Sequence, residues 1–240
     1  MDASRWERVG AASGVVFVGV MIAAFSLAAS EPKHSDIDEL ASYIADNRTG
    51  YLVQAYLFGL ASLFLLWFAG SVRIHMRRNE GASDRLASVG FGGAVVATTL
   101  ALITTTVYAV AAFRANEVQD PAIVRLLADV GTIAATLFFV PFAAWVGATA
   151  IASYRSGAFP RWHAIAGGII AVVFAAVPAV LFGETGFFSA DEWAVPGVAS
   201  FLLFAWILTT SVMLIVGEAA KAEPAIEQPH VGWHRRRAVG

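Results

Sequence analysis

Cysteine is missing from the 240 residues. That excludes disulfides, thiolate metal sites and cysteine nucleophiles, and leaves the compartment open. Charge is scarce as well. Only 14% of residues are Asp, Glu, Lys or Arg, against 58% hydrophobic, a balance too apolar for a soluble domain to hide from water. The chain lacks a Gly-x-Ser-x-Gly elbow, a His-Glu-x-x-His pair, a nucleotide-binding glycine loop and an aspartate pair inside an apolar run. No common hydrolase or nucleotide chemistry is therefore written in a motif. The expectation is a non-enzymatic protein with no cofactor, no metal and no nucleic-acid partner.

What is present is a set of six apolar runs: Val9–Ala29, Tyr51–Val72, Val89–Phe113, Val130–Ser153, His163–Phe182 and Pro196–Gly217. Each approaches or exceeds the ~20 helical residues that cross a hydrocarbon core. They are too long and continuously apolar for barrel strands, and a lipid-exposed backbone must bond to itself, so the runs predict helices. The fold class expected is an all-α membrane protein, a six-helix transmembrane bundle over residues 1–217, with a disordered cytoplasmic tail over 218–240. The first run follows Arg5 and Arg8 and ends near Ser26-Leu27-Ala28, a tolerable signal-peptidase site. Its length exceeds a usual signal-peptide core, and it reads as a span.

The basic residues set the expected orientation. Twelve of the sixteen fall in alternate gaps. Arg5 and Arg8 precede span one; Arg73, Arg77, Arg78 and Arg85 follow span two; Arg155 and Arg161 follow span four. Lys221, Arg235, Arg236 and Arg237 follow span six. Lys and Arg accumulate in short cytoplasmic loops, so both termini are expected inside. The other loops hold Lys33, Arg48, Arg114 and Arg125 beside acids such as Asp36, Asp46, Asp120 and Asp191. This acidic outer rim either attracts cations or basic partners, or is what is left when basic residues are kept inside.

Two outer loops carry helix signals. Ser35 or Asp36 can cap a segment with Ile37, Leu40 and Ile44 on one face, ended by Gly50, which predicts a short amphipathic helix at the outer interface. In loop three, Asp120 as N-cap and Pro121 at the first helical position precede Ile123, Leu126 and Leu127. Such helices cover a cavity mouth or merely shorten a loop.

An internal repeat is suggested at an offset of 74 residues. It aligns Leu63–Ala69 with Leu137–Ala143, and the ladder Gly93, Ala97, Ala101, Thr105 with Gly167, Ala171, Ala175, Ala179. Small residues every fourth position let helices approach closely in lipid. Gly10, Gly14, Gly93, Ala97, Gly167 and Ala171 are accordingly the expected packing positions, within one chain or between chains of a homo-oligomer. Pro141 and Pro178 lie inside spans four and five and should kink them.

Ionisable side chains inside spans are the default functional candidates. Here Asp129 and Glu184 lie at the outer ends of spans four and five. They form either an outer proton or cation site or ordinary span ends in the headgroup region. His75 and His163 close spans two and five at similar depth, as haem ligands or as interfacial histidines. His230 and His234 sit four apart in the tail, without a helix signal. Gln54, Tyr56 and Tyr108, with Thr98, Thr99, Thr104, Thr105 and Thr106, supply the polar side chains of spans two and three. The outer halves of spans two to four thus offer the best lining for a small cavity. The candidate ligand-binding set is Gln54, Tyr56, Tyr108, Asp129 and Glu184. Trp6, Trp162 and Trp193 mark interfaces, whereas Trp67, Trp145 and Trp206 lie deeper.

Three segments together, YIADNRTG at residues 43–50, AYLFGLASLFLLWFAGSVR at 55–73 and SGAFPRW at 156–162, resemble a family of actinobacterial six-span integral membrane proteins of unknown function. The resemblance covers about residues 10–217. It implies a bacterial plasma membrane and carries over no activity and no functional residues. The functional expectation is therefore the binding of a membrane lipid or small apolar ligand, or support of a membrane assembly with a homo-oligomer or another membrane protein. The alternative is a small oligomeric transporter built on the parallel repeat. A through-going polar cavity would favour transport, a blind apolar pocket binding, and a solid core assembly.

Overall fold

The computed structural model describes residues 3–27, 37–80, 84–115, 120–183 and 194–222. Every regular element among them is helical: α1 (Ala3–Ser26), α2 (Ile37–Asp46), α3 (Arg48–Glu80), α4 (Arg85–Phe113), α5 (Pro121–Leu137), α6 (Phe139–Ser156), α7 (Arg161–Ala176) and α8 (Ala194–Ala222), with a 3₁₀ segment, Val177–Phe182, continuing α7. Six stretches are long and apolar enough to cross a membrane: Trp6–Ser26, Arg48–Asn79, Arg85–Phe113, Ala122–Ser156, Arg161–Phe182 and Val195–Gly217. The chain is thus an all-helical, multi-pass membrane protein.

Several helices exceed the apolar runs. The second stretch has 32 residues, about 48 Å at helical rise, against a hydrocarbon core of about 30 Å. Its polar ends therefore stand beyond the apolar slab. The sixth helix continues past Gly217 to Ala222, so residues 218–222 are helical where the sequence suggested the start of a disordered tail. The rest of the tail, with His230 and His234, lies outside the described residues, as do Ser35, Asp36, Trp193 and Glu184.

Three local expectations change. Gly50 does not end α2; it lies inside α3, and the chain turns at Asn47 instead. The Asn47 backbone N–H (2.9 Å) and side-chain Nδ2 (3.0 Å) both donate to the Tyr43 carbonyl, satisfying the helix end without a glycine. In loop three the Asp120 carboxylate accepts from the Ala122 N–H (2.9 Å), and Pro121 opens the helix. That helix is not separate, however: it runs on as α5, the first half of span four. Span four itself is broken at Phe138. Pro141 has no N–H for the Leu137 carbonyl and its ring crowds that carbonyl, so the break falls just before it. Pro178 acts similarly, turning the end of span five into the 3₁₀ segment.

The helices pack as a ring. α1 lies against α3 and α8, α4 against α3, α5 and α6, and α7 against α6. Small residues make the close approaches. Gly10 faces the Ser71 side chain, and a Cβ on Gly14 would come 2.8 Å from the Phe68 ring. A Cβ on Gly167 would come 3.3 Å from Ala150, a tight contact, and 3.4 Å from Trp206, Ala171 packs on Gly147, and Ala97 is fully buried. The described packing positions thus serve contacts within one chain.

The two ladders related by 74 residues meet different partners. Gly93 packs against α6, which is not its hairpin neighbour, whereas Gly167 packs against α6, which is. Phe64 lies inside the unbroken α3, whereas its aligned counterpart Phe138 is the break in span four.

The core fills the arginine-rich half of the bundle. Phe68, Trp145 and Trp206 form an edge-to-face series, with centroids 6.0 and 5.4 Å apart, and Phe142 stacks on Trp145 at 6.0 Å. A second, smaller cluster closes the opposite end. There α2 sets Leu40 and Ile44 against Tyr51 of α3, Ala112 of α4 and Ala128 of α5. Trp67 is more than half exposed on the outside of the bundle and stacks on Trp6, whereas Trp145 and Trp206 are buried.

Candidate functional site

Between the aromatic core and the α2 cluster lies a cavity of about 490 Å³, within the ~300–1,000 Å³ typical of small-molecule sites. Its walls come from α1, α3, α4, the α5/α6 break and α8. The break helps to shape it: Ala135 before the interruption at Phe138, and Phe139 and Phe142 after it, all line the cavity.

The cavity has two unlike faces. Phe17 and Phe25 of α1, Phe139 and Phe142 of span four, and Leu203 and Phe204 of α8 make an apolar, largely aromatic face. The α3/α4 face carries the polar groups, Gln54, Ser62, Thr98, Thr104, Thr105, Tyr51 and Tyr108. No Asp, Glu, Lys, Arg or His lines it among the described residues.

Most of these polar groups are tied to backbone. Ser62 donates to the Gly59 carbonyl (2.6 Å), Thr98 to Ala94 (2.8 Å), Thr104 to Leu100 (3.1 Å) and Thr105 to Ala101 (2.9 Å). Such back-bonds are what hydroxyls adopt in an apolar helix. Gln54 instead crosses to another helix, its Nε2 donating to the Ala24 carbonyl near the end of α1 (3.2 Å). That bond holds α1 against α3 and fixes the Gln54 amide at the cavity wall.

The cavity is closed below. Its deepest lining residues, Leu65, Phe142 and Leu203, rest on Phe68, Trp145 and Trp206, each at most 3% exposed. Above, Tyr51 and Tyr108 belong both to the wall and to the cluster beneath α2. A pocket closed below and without a charged lining residue among those described suits an apolar or weakly polar small molecule. Among the described residues, no group of three or more His, Cys, Asp or Glu side chains stands close enough together to hold a metal ion.

Of the candidate ligand-binding residues, Gln54 and Tyr108 line this cavity. Tyr56 does not: it is 67% exposed and faces out of the bundle, because it lies two positions from Gln54 on α3. Asp129 is also exposed and does not line this cavity. Glu184 lies outside the described residues. The sequence reading missed the contributions of α1 and α8 altogether. Phenylalanines there, such as Phe17, Phe25 and Phe204, look in sequence like any lipid-facing residue.

The histidines have protein partners. His75 Nε2 donates to the Ala158 carbonyl (3.0 Å), since a carbonyl can only accept. His163 Nε2 lies 2.9 Å from Thr210 Oγ1. Thr210 gives its own proton to the Trp206 carbonyl (2.7 Å), so His163 is the donor there. Phe159, in the turn between α6 and α7, sits between the two imidazoles with centroids 4.8 and 5.1 Å away. The pair thus anchors that turn into the bundle, with an aromatic ring where a shared ligand would have to sit.

No protein-family model, no curated protein and no solved structure matches this chain.

Proposed function

We propose that this chain is a non-enzymatic protein of a bacterial plasma membrane, with both termini in the cytoplasm, that binds a lipid or small apolar ligand in the cavity between the aromatic core and α2. One observation carries the reading: a cavity of about 490 Å³, without a charged lining residue among those described, is closed below by Phe68, Trp145 and Trp206. A solute that must cross needs a path, and this floor supplies none, which weighs against the transporter alternative. A solid core would have favoured an assembly role, and the bundle is not solid in this half. The orientation rests on the arginines at the shared end of α3, α4, α6 and α7.

The test is native mass spectrometry of the gently solubilised protein, with lipidomic identification of what stays bound. One defined neutral or lipid species at fixed stoichiometry, lost when Phe142→Trp fills the cavity, supports the reading. A bare chain, or one held only to a second protein, overturns it in favour of the assembly role.

A further inference from the structure

The polar face of the cavity has a hydrogen-bonding sense. The hydroxyls of Ser62, Thr98, Thr104 and Thr105 direct their protons to carbonyls of their own helices, so toward the cavity each presents an oxygen that can only accept. Gln54 directs an N–H to the Ala24 carbonyl, which leaves its amide oxygen as a further acceptor at the wall. These acceptors stand on α3 and α4, facing the phenylalanines of α1 and span four. The exceptions are Tyr51, Tyr108 and Ser200, whose hydroxyls are able to donate or accept, and the second N–H of the Gln54 amide.

Charge is the second constraint. An ionised carboxylate, phosphate or ammonium in this cavity would meet no counter-ion among the described lining residues, and an unpaired charge in a low-dielectric site is strongly disfavoured. The occupant must therefore be neutral, must be mostly hydrocarbon to cover the phenylalanine face, and gains most from a donor placed against α3 and α4.

Building on the proposed binding role, we infer that the ligand class is an uncharged amphiphile bearing a hydroxyl, such as a long-chain or isoprenoid alcohol, whose O–H donates to the Gln54 and Thr104/Thr105 acceptors while its hydrocarbon lies on the aromatic face. A hydroxyl is the simplest neutral group that donates to this wall and also accepts from Ser200. An ether or ester of the same skeleton keeps the apolar contact and loses the donor. Buried acceptors left without a partner make such an analogue weaker.

The experiment uses three probes with one hydrocarbon chain and a mid-chain diazirine: the primary alcohol, its methyl ether and the corresponding carboxylate. Each is photolysed with the full-length protein in lipid nanodiscs, and labelled peptides are mapped and quantified. The alcohol is expected to label α3 and the α5/α6 region around Phe139. The ether should need about tenfold more probe for equal labelling, the loss of one hydrogen bond to a buried acceptor, and the carboxylate more again. In Gln54→Met and in Thr105→Val, the gap between alcohol and ether should shrink while ether labelling persists. Ether labelling that persists also shows that the variant is folded.

Equal labelling by alcohol and ether, or a gap unchanged in both variants, would overturn the donor assignment and leave cavity binding intact. Carboxylate labelling as strong as that of the alcohol would overturn the neutral class, again with binding intact. Labelling confined to the outer surface of the bundle for all three probes would remove the binding reading itself.

Discussion

The backbone carbonyl of Pro141 stands where a side chain on Gly93 would begin: a Cβ there would lie 2.6 Å from the carbonyl oxygen and 2.9 Å from the Trp145 nitrogen. Both obstacles are main chain of α6 and cannot rotate aside. Gly93 is therefore the closest approach between α4 and the segment that breaks span four. We expect Gly93→Ala to destabilise the bundle by about 1–3 kcal/mol, the cost of overpacking a fitted interface. Gly168→Ala, at a position with open space around it, is the control. Thermal unfolding in detergent separates them, and equal midpoints would refute the close-packing argument.

The glycine ladder was legible because small residues at fourfold spacing are a one-dimensional signal. So were the six spans, since length and apolarity are local properties. The cavity was only half legible. Gln54 and Tyr108 stand out as polar residues in apolar helices, but depth along a span does not fix azimuth. Tyr56, two residues on, shares the depth of Gln54 and points outward. The phenylalanine face could not be read at all, because Phe139 and Phe142 inside the bundle and Phe201 outside it are chemically alike. The break at Phe138 followed from Pro141, but that it opens toward a cavity depends on how α4 and α8 pack around it. The turn at Asn47 was missed because Gly50 is the stronger stop signal in one dimension.

His163 and Thr210 supply a cross-helix hydrogen bond where α7 meets α8. His163 donates, so a residue at 210 must accept. Thr210→Val keeps the shape and removes the acceptor, stranding a buried N–H, a loss of about 1–3 kcal/mol. Thr210→Ser restores the acceptor and should recover most of it. Bonds between membrane helices average about 0.6 kcal/mol, so the lower end of the range is expected. Equal unfolding midpoints for the Ser and Val variants would show that the bond contributes nothing.

The absence of native cysteine makes the orientation directly testable. Asn47, in the turn between α2 and α3, and Asn79, near the far end of α3, are both exposed. With the arginine-rich end in the cytoplasm, Asn47→Cys should react with a membrane-impermeant maleimide in intact cells. Asn79→Cys should react only after the membrane is permeabilised. The reverse pattern would invert the protein and the assignment drawn from its arginines.

The last prediction concerns α2 as the roof of the cavity. Leu40 is fully buried and Ile44 nearly so, and both press on the cluster that includes Tyr51 and Tyr108 of the cavity wall. Ser62 lines the cavity below them and is itself buried. In the cysteine-free chain, Ser62→Cys reports how often water-soluble reagents enter. Leu40→Asp places a carboxylate where α2 meets the bundle, and the lost apolar burial alone exceeds ~1.4 kcal/mol, a factor of about ten in an opening equilibrium. Thiol labelling of the Ser62→Cys protein should therefore accelerate by at least about tenfold when Leu40→Asp is added. The unfolding midpoint of the six-helix bundle should change little, because α2 lies outside the main core. An unchanged labelling rate would mean that reagents enter by another route and that α2 is not the roof.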